Sequence, residues 1–143
     1  MATTNLNFGA QVDAWVMATK ERAEAVFRES TKRTVSIAQA AVPVDTGFLR
    51  ASIRASTSAM PTLSAARPSS GSFPNGAGDV VLTIAGAQLG QTIFVGYTAN
   101  YAIYVEYGTS RMAPRGFVAR AAQQWQATVN AVTADAKSRA AGR

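Results

Sequence analysis

From residue 8 to residue 41 the sequence holds an apolar face at helical spacing, and a proline two residues later ends it. Phe8, Val12, Trp15, Val16, Thr19, Ala23, Val26, Phe27, Ser30, Ile37 and Ala41 recur along one side. Lys20, Glu21, Glu24, Arg28, Glu29, Lys32 and Arg33 lie between them, with Glu24 and Arg28 in the order that favours an i,i+4 pair. Asn7 is the expected N-cap. Pro43 lacks a backbone donor and pushes Val42 toward an extended conformation, so the helix stops there. A helix of that extent is about 50 Å long. That exceeds what one face of a small domain needs, so part of it is expected to pack on a neighbouring chain. The β-branched cluster at residues 31–36 is the one place where it could break.

The remainder reads as shorter elements. Val44-Asp45-Thr46-Gly47 is a turn in which the Asp45 carboxylate can accept backbone N–H groups and Gly47 can take a positive φ. Leu49, Ala51, Ile53 and Ala55 then alternate with Arg50, Ser52, Arg54 and Ser56, the pattern of a half-buried strand. Residues 58–78 are rich in Pro, Gly and Ser and form a long loop, expected to order against a neighbouring subunit. Residues 80–85 and 92–97 are expected to be strands, joined by a hairpin through residues 86–90. Asn100 is placed to cap a short helix over residues 101–107, ended by Gly108. Phe117, Ala121, Trp125, Val129, Val132 and Ala136 mark a last amphipathic helix over residues 115–140, opened near Pro114. The expectation is one α+β domain spanning residues 1–143. Its long N- and C-terminal helices (8–41 and 115–140) pack on a small antiparallel sheet within residues 48–98, with one extended loop (58–78) and a short helix (100–107). Trp15 and Trp125 fall on helical apolar stripes, where core packing is their expected job.

Composition narrows the chemistry. With no Cys and no His, the chain lacks disulfides, thiolate metal sites and the usual general base. No cofactor or metal is expected. A chain that is 48% hydrophobic and 15% charged is not disordered by composition. No apolar stretch approaches the roughly 20 residues that span a bilayer, and no signal peptide is visible at the N-terminus. The net charge of +6 divides unevenly, as +1 through Val44 and +5 from Asp45 onward. That basic balance admits DNA binding as an alternative, although no run of three basic residues occurs.

Two local features invite a chemical reading. Asp45-Thr46-Gly47 matches the aspartic-protease triplet, whose chemistry needs a second carboxylate from a partner chain. Here, however, it follows a long helix instead of lying between strands, and a turn-building role fits better. Arg50 and Arg54, on one face of the expected strand, suit contact with phosphate, with a carboxylate on a neighbour, or with solvent. Glu106 sits among Tyr101, Tyr104 and Tyr107, where an acidic side chain is expected to be paired, with Arg50 or Arg54 as its partner.

Two strings carry a family resemblance. The first is Ala41-Val42-Pro43-Val44-Asp45-Thr46-Gly47-Phe48-Leu49-Arg50-Ala51-Ser52-Ile53. The second is Tyr101-Ala102-Ile103-Tyr104-Val105-Glu106-Tyr107-Gly108-Thr109, followed by Pro114 and Phe117. Together, in this order, they resemble the minor tail-component or neck family of long-tailed bacteriophages. The family pattern is a helix, P-V-D-T-G-x-L-R-x-S-I, strands, Y-A-x-Y-V-E-x-G-T, and then a stretch like R-P-F before the last helix. The likeness spans about residues 42–121 of this chain. Arg115-Gly116-Phe117 departs from it where the family has proline, and the loop at residues 58–78 looks enlarged. The resemblance implies a virion structural protein at the head–tail junction, with no catalytic residues, assembled in the host cytoplasm. It implies a homo-oligomeric ring, of six copies as the first expectation and twelve as the second. Its neighbours would be the connector, head-closure proteins and the tail-tube or terminator proteins, with DNA passing through without sequence-specific contact and no membrane involved. Pro43, Asp45, Thr46, Gly47, Leu49, Arg50, Ile53, Arg54, Tyr101, Tyr104, Glu106, Tyr107, Gly108, Thr109 and Phe117 are the expected motif or interface positions.

Overall fold

The computed structural model describes residues 2–142 apart from residues 65, 67, 70 and 75, with side chains from Phe8 onward. The periodic N-terminal stretch forms helix α1 (Ala2–Ala41). It starts earlier than expected, so Asn7 lies inside it and not at its cap. It runs unbroken through the β-branched cluster. The hydroxyls of Thr31 and Thr34 donate to the carbonyls of Phe27 and Ser30 at 2.8 and 2.9 Å, four residues back, which satisfies them within the helix. Glu24 and Arg28 pair at 2.7 Å, as their spacing suggests.

Seven shorter elements follow: α2 (Phe48–Ala51), β1 (Ile53–Ser56), α3 (Gly78–Gly86), β2 (Phe94–Tyr97), α4 (Ala102–Tyr107), α5 (Phe117–Gln123) and α6 (Trp125–Ala141). The fold is α+β. Among the described residues its sheet is the antiparallel pair β1–β2, in register from Ile53 opposite Tyr97 to Ser56 opposite Phe94. Helices α5 and α6 pack along α1, and α3 packs on β1 and α1.

Several expectations are corrected. Residues 48–51, read as the start of a strand, make one helical turn, opened by Gly47 at φ 88° and closed by the Ala51 amide on the Gly47 carbonyl at 2.9 Å. Arg50 therefore sits on α2 and Arg54 on β1, not on one strand face. Residues 80–85 are helical and there is no hairpin. An unbroken apolar run has no period of its own, and burial of Val80 and Ile84 with Leu82 between them exposed decides for a helix. Asp79 in its first turn favours the same outcome. The connection after α3 is tied to α1, where Arg28 Nε donates to the Ala87 carbonyl at 2.8 Å and Glu24 accepts from the Leu89 amide at 3.2 Å. The last helix divides at Gln124, whose amide reaches back to Ala121 at 3.2 Å. Trp15 is not in the core but 67% exposed, and Trp125 is 39% exposed.

The core lies where α1, α3, α5 and the sheet meet. Val42, Leu49, Ile53, Val80, Ile84, Tyr97, Ala99, Ala102 and Phe117 form it. The Tyr97 and Phe117 rings meet edge to face at 5.0 Å. The Tyr97 hydroxyl donates to Gln39 Oε1, and Gln39 Nε2 donates to the Arg50 carbonyl at 3.2 Å, so one amide ties β2 to α1 and α2. Burial, reinforced by the negative charge of Glu106, raises the Tyr97 pKa above its ordinary value of 10.0. A pKa raised in the folded state means stability that is full below the unfolded pKa, about 10, and is lost as pH rises beyond it. Tyr97→Phe should cost about 1 kcal/mol at neutral pH through the lost hydrogen bond. It should also lose stability less steeply between about pH 10 and pH 12. Denaturant melts across that range test this, and parallel profiles for the two proteins would refute it.

The long loop is largely exposed and touches its own chain at several places. The Ser64 amide donates to Thr98 O at 2.9 Å and the Phe73 amide to Thr46 O at 3.0 Å. A Cβ on Gly76 would lie 2.6 Å from the Ala51 carbonyl oxygen, so only glycine lets the two backbones approach there. Residues 65, 67, 70 and 75 of the expected loop lie outside the described residues.

Candidate assembly site

The turn after α1 is anchored by Thr46 and Gly47. Thr46 O accepts from Phe73, and Thr46 Oγ1 accepts from the Phe48 amide at 3.4 Å. Gly47 has φ 88°, and a Cβ there would come 2.5 Å from the Phe73 carbonyl oxygen. Phe48 then packs edge-on against Phe73, with ring centroids 5.2 Å apart, and against Tyr101 at 6.3 Å. Asp45 is exposed beside this anchor, in a helix-to-helix turn unlike the strand setting of a protease carboxylate.

The second string builds a joint between α4 and α5. The last turn of α4 leaves carbonyls without helical partners. Those of Val105 and Glu106 accept from the amides of Arg115 and Gly116 at 2.9 and 3.1 Å. The first turn of α5 likewise leaves amides free. The Glu106 carboxylate, 9% exposed, accepts from Val118 at 3.0 Å and Ala119 at 2.8 Å. Glu106 thus caps α5 from another helix, where anionic charge also meets the favourable end of the dipole. The expected pair with Arg50 or Arg54 is corrected. Arg54 donates to the Ala51 and Ile53 carbonyls at 3.0 and 2.7 Å and lies 4.0 Å from Asp79. The buried Arg50 Nε has no hydrogen-bond partner among the described residues.

Gly108 and Gly116 allow the chain to make this joint. Gly108 has φ 80° and ψ 173°, a region essentially confined to glycine. A Cβ on it would stand 2.7 Å from Pro114 N and 2.8 Å from Met112 O. Between them Thr109 and Met112 bridge at 2.8 Å. Gly116 has φ 58°, which a proline ring cannot adopt, so the departure from Arg-Pro-Phe is a different backbone route into α5. Phe117, 1% exposed, follows directly and fills the core.

The two strings meet. Pro43, Asp45, Thr46, Gly47, Phe48 and Leu49 face Tyr101, Tyr104, Val105, Met112 and Arg115 across a cleft of about 320 Å³. Tyr104 is 58% and Tyr107 76% exposed at its side of the molecule. Leu49 and Ile53 belong instead to the core. No group of acidic side chains among the described residues could hold a metal, and no helix there is long and apolar enough to cross a membrane.

A further surface lies on the first half of α1. Phe8, Val12, Trp15, Val16 and Met17 are 68, 42, 67, 36 and 59% exposed on the first half of α1. The length of α1 led to the expectation that part of it packs on a neighbour, but did not say which part, and Trp15 was expected in the core. A second apolar feature is a groove of about 510 Å³ between α1, β2, α5 and α6, with no charged residue in its lining.

A family model described as "Bacteriophage HK97-gp10, putative tail-component" matches residues 7–108, from within α1 to the glycine that closes α4. No curated protein and no solved structure matches the chain. The two strings, their meeting around one cleft and the matched span agree, and the chain belongs to the HK97-gp10-like family of bacteriophage tail components.

Proposed function

We propose that the protein is a non-catalytic subunit of the phage head–tail junction and works as a ring that joins connector to tail tube. The observation that carries this reading is the unsupported half of α1. Every residue from Phe8 to Met17 is exposed, including two large aromatics. A monomer gains nothing from holding such a surface in water, whereas a subunit that meets other chains does. Asp45, Thr46 and Gly47 then serve as a folding joint with Phe73, and Tyr104 and Tyr107 stand on a face open to a second contact. Six copies, with DNA passing through the centre, is the first expectation and twelve the second.

Light scattering at several concentrations, with and without connector and tail-tube proteins, tests this. A discrete species six or twelve times the 15.0 kDa protomer is expected, alone or on adding a partner. A persistent monomer that ignores both partners but holds duplex DNA with a steep salt dependence would overturn it in favour of a DNA-binding role.

A further inference from the structure

We infer that the first half of α1 docks, apolar stripe inward, into the groove between α1, β2, α5 and α6 of a second copy of this chain. The inference rests on the ring reading above and names the contact that would build it.

The stripe comes first. At helical spacing Phe8, Val12, Trp15 and Val16 fall on the same side as Val26, Phe27 and Ser30. That side is covered further along, where α5 and α6 pack on α1. The cover ends where α6 does. Arg33 meets Asp135 at 3.1 Å, and Arg139 lies beside Ala25 and Val26 around one hollow, so α6 runs antiparallel to α1. Its last turn therefore stands near Ala25. The helix before that point projects alone for about 30 Å, with its apolar side facing water.

The groove comes second. Phe27, Val35, Ile93, Val95, Ala122 and Trp125 are among its walls, and it is open at the surface. The protein's own projecting stretch cannot fill it. Helix α1 is continuous and its later residues already form one wall, so its first half runs on beyond the end of the groove and cannot fold back into it. An occupant has to come from another molecule.

Three features favour a second copy as that occupant. Up to Arg22 the projecting stretch carries Asp13, Lys20, Glu21 and Arg22 and has no net side-chain charge, while the rest of the chain carries the whole +6. A nucleic-acid or anionic-lipid arm would show the opposite distribution. Next, a neutral stripe with two aromatics matches a neutral apolar groove, the usual helix-in-groove arrangement. Finally, a helix this long, covered over half its circumference, buries about 600 Å² per partner, or about 1,200 Å² in all. That is the lower end of a stable interface, and a closed ring repeats it at every junction. Stripe and groove lie on different parts of the molecule, so the contact is head-to-tail, the kind that builds a ring when its rotation closes.

The chain has no cysteine, which permits a direct test. Full-length Trp15→Cys and Ala122→Cys, both at exposed positions, are prepared separately, mixed and oxidised. A disulfide-linked dimer is expected from the mixture and from neither protein alone. Trp15→Glu should weaken association roughly 30-fold or more while leaving the circular dichroism and the melting midpoint of the monomer unchanged. Cross-linking of Trp15→Cys with itself would replace the groove by a symmetric helix pair and overturn the inference. So would Trp15→Glu protein that assembles like wild type, although the ring reading would stand. Wild-type protein that stays monomeric with every partner would remove both.

Discussion

Replacing Gly108 by alanine should lower the melting midpoint of the protein by about 10 °C or more. The backbone at Gly108 holds φ 80° and ψ 173°, and the added carbon would press on Pro114 N, Met112 O and Pro114 Cδ at 2.7 to 2.9 Å. Two of those atoms are main chain and the third belongs to a rigid ring, so no side chain can swing aside. Strain in this region costs about 1–3 kcal/mol, and the collision brings the total to about 4 kcal/mol. Domains of this kind have only about 5–15 kcal/mol in all. Gly78→Ala is the control: its φ is ordinary and nothing lies within 4 Å of the new Cβ. It should melt within a few degrees of wild type. Thermal melts followed by circular dichroism decide the matter, and equal midpoints for the two variants would sink the account.

Glu106→Ala is the second large effect. It removes the acceptor from two amides at the start of α5 and leaves them facing a buried, empty volume. Hydrogen bonds to a charged group are worth about 1.5–3 kcal/mol, so a loss of about 3 kcal/mol is expected. Glu106→Gln keeps one acceptor oxygen and should lose about half as much. A double-mutant cycle with Arg50→Met separates the cap from the ion pair suggested by sequence. Urea titrations should give a coupling of about zero. A coupling above about 1 kcal/mol would mean that Glu106 serves the arginine and not the helix.

The limits of the sequence were local and physical. The end of α1 at Ala41 and the closing of α4 by Gly108 follow from proline and glycine, and the strand ending at Tyr97 from its β-branched and aromatic residues. Residues 80–85 did not reveal their state, because a run apolar on every side satisfies either period and only the tertiary fit of Val80 and Ile84 chooses. Residues 48–51 misled because Leu49 and Ile53 suit a strand face and a helical turn equally well. The meeting of the two strings around one cleft could be suspected from their joint resemblance. The partner of Glu106 could not, because backbone amides twelve and thirteen residues away carry no sequence signal. Trp15 shows a further limit. Periodicity marks the wet and dry sides of a helix without saying which molecule keeps the dry side dry.

The continuity of α1 has a bearing on the order in which its turns become secure. Starting a helix is the costly step, and lengthening one is nearly free. The later turns, held against α5 and α6, act as a permanent seed, so the projecting turns never have to nucleate. They persist on propagation alone, through Gly9, Val12, Asp13, Val16 and Thr19, residues that lengthen a helix poorly. The turns furthest from that seed are therefore the easiest to open, and any covering surface would hold them closed. On the assembly proposed above, rigidity in the finished particle is then a property that neighbouring subunits would confer on each other as each one is added.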